Sequence, residues 1–175
     1  IARRATKELE QTQYELSSFL DNLTTFATKI DVSTGKVVFG NAAAKLASGL
    51  GEKFVGTNFL KGSYFTFDPS VSARVNEAYK KVLLGESVNY DETIQLATPK
   101  GKQVFDVNFS MIPAKYDGVV KYVIAEGRDI TVNKKIEQAL AEKTKDLERF
   151  NRLMVDRELK MIDLKKQLGL SKNKF

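Results

Sequence analysis

The stretch from residue 88 to residue 131 decides how this chain reads. It opens Val88-Asn89-Tyr90-Asp91-Glu92-Thr93-Ile94-Gln95-Leu96-Ala97 and turns at Thr98-Pro99-Lys100-Gly101. It resumes over Gln103–Ile112, turns again at Asp117-Gly118, runs through Val120–Glu126 and closes on Gly127-Arg128-Asp129-Ile130-Thr131. Runs rich in β-branched and aromatic residues, broken by Pro-Lys-Gly and Asp-Gly, predict strands joined as hairpins. Short hairpin connections force antiparallel pairing.

Working upstream, Thr25–Val32 predicts a strand, Ser33-Thr34-Gly35-Lys36 a turn and Val37-Val38-Phe39 the returning strand. Asn41 stands before Ala42-Ala43-Ala44-Lys45-Leu46. An Asn side chain accepts from the free amides of a first helical turn and Ala is the best helix former, so a short helix begins here. Gly49 and Gly51 end it. Residues 52–67 have mixed periodicity, enough for one or two helical turns. Asp68-Pro69 is a helix start, Val71, Val75, Ala78, Tyr79 and Val82 form one apolar face, and Gly85 stops the helix. The order β-β-α-α-α-β-β-β predicts the α+β class: a five-stranded antiparallel sheet with short helices on one face.

Two further segments flank this block of residues 24–131. In residues 1–23, Ala2, Ala5, Leu9, Thr12, Leu16, Phe19 and Leu23 follow a 3–4 spacing, the stripe of an amphipathic or coiled-coil helix. In residues 132–175, Leu140, Leu147, Met154, Met161 and Leu168 fall seven apart, interleaved by Ile136, Lys143, Phe150, Arg157 and Leu164. Eight apolar residues at ten seam positions predict a coiled coil with a second copy of the chain. The seam is Leu140, Leu147, Phe150, Met154, Met161, Leu164 and Leu168; Lys143 and Arg157 either loosen it or set its register.

Composition removes whole chemistries. The chain holds no Cys, no His and no Trp. Disulfides, Cys/His zinc sites, His-based nucleophilic triads, haem held by His, a cysteinyl–flavin adduct and phosphotransfer to His are all excluded within these residues. The net charge of +6 sits mainly in residues 132–175, with twelve basic and seven acidic side chains. Acids and bases alternate there at helical spacing, which fits a solvated helix and not a nucleic-acid patch. No apolar run is long enough to span a membrane. The first residue is not Met, so the chain is expected to be part of a longer signalling protein; this segment is expected in the cytoplasm, with membrane association of the parent left open.

The element order, together with Gly127-Arg128-Asp129-Ile130-Thr131 and the exit Ile136-Glu137-Gln138-Ala139-Leu140, resembles the PAS sensory domain. The ending is similar to the Asp-Ile-Thr close of the last PAS strand, and the exit to linkers that lead into histidine kinases or diguanylate cyclases. Asn41 stands where that family often places Asn. The resemblance implies a sensory and dimerisation module, not itself an enzyme. It would pass a signal through its flanking helices to an effector domain elsewhere in the parent chain. It also implies a ligand space between the inner sheet face and the short helices. Phe39, Tyr64, Tyr90, Phe105, Val107, Phe109 and Tyr122 are the candidate lining, with Ile94, Leu96, Met111 and Ile124 extending that face. An apolar core that takes no ligand explains the same residues, so a small molecule, a cofactor or neither stays open, as does a ligand-free interaction module. Arg128, Asp129 and Thr131 are implied as the signal-relay hinge, Asp129 anchoring the strand–helix junction and Thr131 capping the exit helix.

Overall fold

The computed structural model describes residues 2–172, with side chains described at 7 and 10–169. Ala2, Ala5 and Leu9 of the predicted N-terminal stripe, and the tail 173–175, lie outside the described side chains and residues. The chain divides into two units, one ending at Thr131 and one beginning at Val132.

The first unit opens with α1 (Ala2–Asp21), followed by β1 (Phe26–Asp31), β2 (Val37–Gly40) and α2 (Ala42–Ser48). Two 3-10 turns (Gly51–Phe54 and Phe59–Lys61), α3 (Ser63–Thr66) and α4 (Pro69–Leu83) complete the helical layer. Strands β3 (Val88–Thr98), β4 (Gly101–Tyr116) and β5 (Val119–Asp129) complete a sheet of order β2-β1-β5-β4-β3, every pairing antiparallel.

Local chemistry explains the element ends. Asp68 accepts from the Ser70 amide at 2.7 Å and caps α4, with Pro69 in the first turn. Gly49 closes α2 with φ +74, its amide donating to the Leu46 carbonyl at 3.0 Å. Asp117 and Gly118 both take positive φ, which matches the twist of the β4–β5 hairpin. β4 runs further than the sequence reading, through Pro113. Pairing with β3 ends at Met111, so Pro113 lies where β4 has lost that neighbour and a missing N–H is tolerated.

The core lies between one sheet face and the helices. Ile30, Val37, Val107, Met111 and Val123 of the sheet and Val71, Val75 and Val82 of α4 are all essentially inaccessible. Each such side chain contributes about 1.5–3 kcal/mol by leaving water.

Two strands correct the sequence reading. On β5 the inward residues are Val123, Ala125 and Gly127, so Tyr122 and Ile124 lie on the outer face. A Cβ on Gly127 would come within 3.1 Å of both Phe26 and Val107, so the inner row of β5 must be small where the strands are crowded. On β2 a bulge shifts the register between Lys29 and Ile30. Val37 faces inward, and Phe39 pairs with Lys29 on the outer face. Tyr122 also receives Lys29, whose Nζ stands 3.9 Å from the ring centroid.

The second unit is the remainder of α5 (Thr131–Lys172), 42 residues and about 63 Å long at 1.5 Å per residue. Its seam residues Leu140, Leu147, Phe150, Met154, Met161, Leu164 and Leu168 are 41–64% exposed. No helix among the described residues is long and apolar enough to cross a membrane.

Candidate functional site

Between the inner sheet face and the helical layer lies a cavity of about 50 Å³. Ala44 and Ala47 form its α2 wall, three residues apart and so on one helical face. Phe54 and Phe59 enter from the 3-10 turns, and Tyr64 and Phe65 from α3. The sheet supplies Thr28, Ile94, Leu96 and Phe109. No lining residue is charged.

The aromatic wall is continuous. Tyr64 and Phe65 meet edge to face at 4.6 Å between centroids, Phe65 and Phe109 at 5.7 Å, and Phe59 and Phe65 at 5.3 Å. The Tyr64 hydroxyl donates to the Phe59 carbonyl at 2.9 Å, and burial pushes its pKa far up, so it stays protonated. Ser48 donates to the Lys45 carbonyl at 2.7 Å. Gly40 makes room for Phe54, whose ring carbons would stand 2.7 Å from a Cβ at position 40.

Of the candidate lining, Tyr64 and Phe109 face the cavity. Val107 is fully buried in the core beside it, and Phe105 packs on the core from its edge. Tyr90 stands edge-on to Phe109 at 5.9 Å without lining the cavity. Phe39 and Tyr122 are on the other side of the sheet, as described above. The lining contributed by Thr28, Ala44 and Ala47 was not anticipated, because small or polar residues carry no apolar signal of their own; Phe54, Phe59 and Phe65 lie in the segment 52–67, whose mixed periodicity assigned them no face.

Beside Tyr90, the inner face of β3 carries Glu92, buried at 4% exposure. Its carboxylate takes both Nε and Nη2 of Arg74 on α4, at 2.8 and 2.7 Å. This bidentate pair fastens α4 to β3. Burial, aided by the Glu92 charge, pushes the Tyr90 phenol up to about 12. Among the described residues no cluster of His, Cys, Asp or Glu can hold a metal ion.

Asn41 is fully buried and uses its whole side chain. Its Oδ1 accepts from the amides of Ala27 and Ala44, both at 3.0 Å. Its Nδ2 donates to the carbonyls of Leu20 at 3.0 Å and Thr25 at 2.8 Å. Asp21 adds a bond from the Ala42 amide at 2.8 Å. The end of α1, the start of β1 and the start of α2 therefore meet on one side chain.

At the other end of the unit, Asp129 Oδ1 accepts from the Thr131 amide at 2.9 Å, at the start of α5. Thr131 does not cap the helix with its hydroxyl. That oxygen accepts from the Asp106 amide at 3.0 Å and donates to the Asp106 carbonyl at 3.4 Å, while the Ile130 amide donates to the same carbonyl at 2.9 Å. Thr131 is already the first helical residue, so the capping role passes to Asp129 and the hydroxyl is left to hold β4. Arg128 lies opposite Asn108 on the outer face.

These features match solved PAS structures. The PAS domain of an HTR-like protein from Haloarcula marismortui aligns with a TM-score of 0.50 at 21% identity, over 73% of this chain and 99% of that one. An RNA-binding Light-Oxygen-Voltage receptor aligns with a TM-score of 0.58 at 20% identity, over 80% of this chain and 38% of that one. In sequence the chain is similar to the sensor histidine kinase TmoS of Ectopseudomonas mendocina, 30% identical over 152 residues. That match covers 86% of this chain but only 15% of the kinase. No family model matches. The sheet-containing unit has the PAS fold, and its sequence is similar to a part of a sensor histidine kinase.

Proposed function

We propose that this chain is the cytoplasmic sensory and dimerisation module of a longer signalling protein, itself without catalytic activity. Its α5 passes the state of the PAS core to an effector domain. The kinase activity named for the relative belongs to that protein, and for this parent chain a histidine kinase or a cyclase output is the reading the linker favours.

The observation that carries this is the seam of α5. A 3.5-residue apolar repeat stays at least 41% exposed in the single chain, and in water such a stripe is stabilised by a partner helix. Two helices with more than one allowed packing form the bistable element a relay needs. The junction supports the same reading: Asp129 caps the start of α5 and Thr131 holds that start to β4.

The natural absence of Cys makes the test clean. Leu147→Cys at the seam is expected to cross-link two chains on mild oxidation, whereas Arg149→Cys, two residues round the helix, is not. Equal cross-linking of both variants, or of neither, contradicts a seam-mediated dimer.

The ligand-free interaction module remains the second reading, favoured by the small volume of the cavity. Native mass spectrometry of the purified chain separates the two through any co-purified mass.

A further inference from the structure

We propose that the Arg74–Glu92 pair is a guard on the open edge of the sheet: it occupies the central amide of β3, at which the β3 of a second copy of this chain would otherwise pair. β3 ends the strand order, so among the described residues one side of its backbone meets no further strand. Which residues turn to that side follows from β4. Asp106 lies opposite Thr93, and its amide and carbonyl point the other way, to the Thr131 hydroxyl and the Ile130 amide. Two opposed residues of an antiparallel ladder turn their backbone groups both toward each other or both away. Thr93 therefore turns its N–H and C=O to the open edge, and with a period of two so do Asn89 and Gln95. Such an edge is a template for pairing with another chain. β2, the opposite edge, is only four residues long. β3 has eleven, matched to β4 without a shift of register, and holds no Pro, Lys or Gly to blunt it. It is also suited to pair with itself. Thr93 stands midway between Val88 and Thr98, so an antiparallel copy centred there engages the whole strand. That register sets Asp91 opposite Gln95 and Glu92 opposite Ile94, with no like charges opposed. Glu92 fills the place instead: its Oε1 accepts from the Thr93 amide at 2.9 Å. Arg74 holds the carboxylate there, with Nη2 on the same oxygen and Nε on the other. An incoming strand must displace a bond to a charged group and offers a neutral carbonyl in return.

The experiment uses the full chain carrying Met154→Glu and Met161→Glu, so that the α5 seam does not join copies. Adding Arg74→Met with Glu92→Leu removes the guard. In sedimentation equilibrium under the same conditions, the unguarded form is expected to show a mean mass at least twice that of the guarded form. Gln95→Pro, which takes away an edge-facing N–H and no ladder bond, is expected to return the unguarded form to the lower mass. Gln95→Lys serves the same purpose if Gln95→Pro fails to fold. Should the unguarded form itself fail to fold, hydrogen exchange of the unsubstituted chain decides. The Thr93 amide is expected to exchange about tenfold slower than the amides of Asn89 and Gln95, the worth of one bond to a charged group. An unguarded form with the mass of the guarded one would overturn the proposal. So would association that neither Gln95 substitution reverses, or a Thr93 amide that exchanges as fast as the other two. Failure of the seam reading leaves this comparison unchanged, because the seam is substituted in both forms.

Discussion

The amide of Asn41 reaches the carbonyl of Leu20 across 21 residues of sequence, at 3.0 Å, and thereby ties the last turn of α1 to the first turn of α2. α2 is also the wall that carries Ala44 and Ala47, so the cavity and the N-terminal helix share one short element. A displacement of α2 is therefore felt at the end of α1.

Asn41→Ala removes four hydrogen bonds and leaves buried backbone groups of Thr25, Ala27 and Ala44 without their partner. Unfolding free energy is expected to fall by about 3 kcal/mol, since each stranded group costs about 1–3 kcal/mol before relaxation. Hydrogen exchange is expected to accelerate most in the last turn of α1 and the first turn of α2. Uniform acceleration over the whole sheet would show that Asn41 merely stabilises the core.

Gly40→Ala places a methyl group where the Phe54 ring lies. The ring must move, at a cost of about 1–3 kcal/mol for overpacking. The denaturant midpoint is expected to drop with an unchanged slope, and an unchanged midpoint would mean that Phe54 relocates freely.

The pair Arg74–Glu92 is tested by a double-mutant cycle. Arg74→Met alone strands a buried carboxylate and is expected to lower the melting temperature by several degrees. The double variant Arg74→Met with Glu92→Leu is expected to recover most of the loss, because a stranded buried charge costs more than the pair gains. Additive effects would show that the two residues act independently.

Acid sensitivity follows from Asp68. Hydrogen bonds from the Ser70 hydroxyl and then from its amide hold the carboxyl below the ordinary carboxylate range. A pKa lower in the folded than in the unfolded state stabilises above the unfolded value of about 3.9 and is lost as pH falls through the folded value. Asp68→Asn is therefore expected to melt below wild type at pH 7 and to converge with it as pH drops below about 4. A gap that persists or widens in acid would contradict the assignment.

At the junction, Asp129→Ala is expected to uncouple the effector's output from the sensed signal in the parent protein while the PAS unit keeps its melting temperature. If output control and stability both stay unchanged, the junction is not the relay. Thr131→Val removes the two bonds to Asp106 and is expected to cost about 1 kcal/mol.

Features that depend on neighbours in sequence were legible. Asn41 before three alanines, Asp68 before Pro69, and Asp117 before Gly118 each carry a turn or cap in their own side chains. The inner face of β5 was not legible. A period of two says that sides alternate but not which side is buried, and the bulkier row, Tyr122 and Ile124, looked more like core than Ala125 and Gly127. Crowding by Phe26 and Val107, both distant in sequence, decides it. The bulge that turns Phe39 outward is likewise a property of the β1–β2 pairing. Thr131 looked like a cap because its partner, Asp106, lies 25 residues away. Glu92 was legible and overlooked: Tyr90, Glu92, Ile94 and Leu96 alternate on one face, and a charge in that row called for a partner. On α5 the heptad reading missed a second exposed stripe, Val155, Leu159 and Ile162, spaced four and three apart.

The central claim is that α5 joins two copies of this chain through its seam, and sedimentation equilibrium tests it most directly. Wild type at about 100 μM is expected to give the mass of two chains. Met154→Glu with Met161→Glu is expected to give one chain of 19.6 kDa while the near-ultraviolet signal of the PAS unit stays unchanged. A monomeric wild type, or a double variant that remains dimeric, would contradict the account.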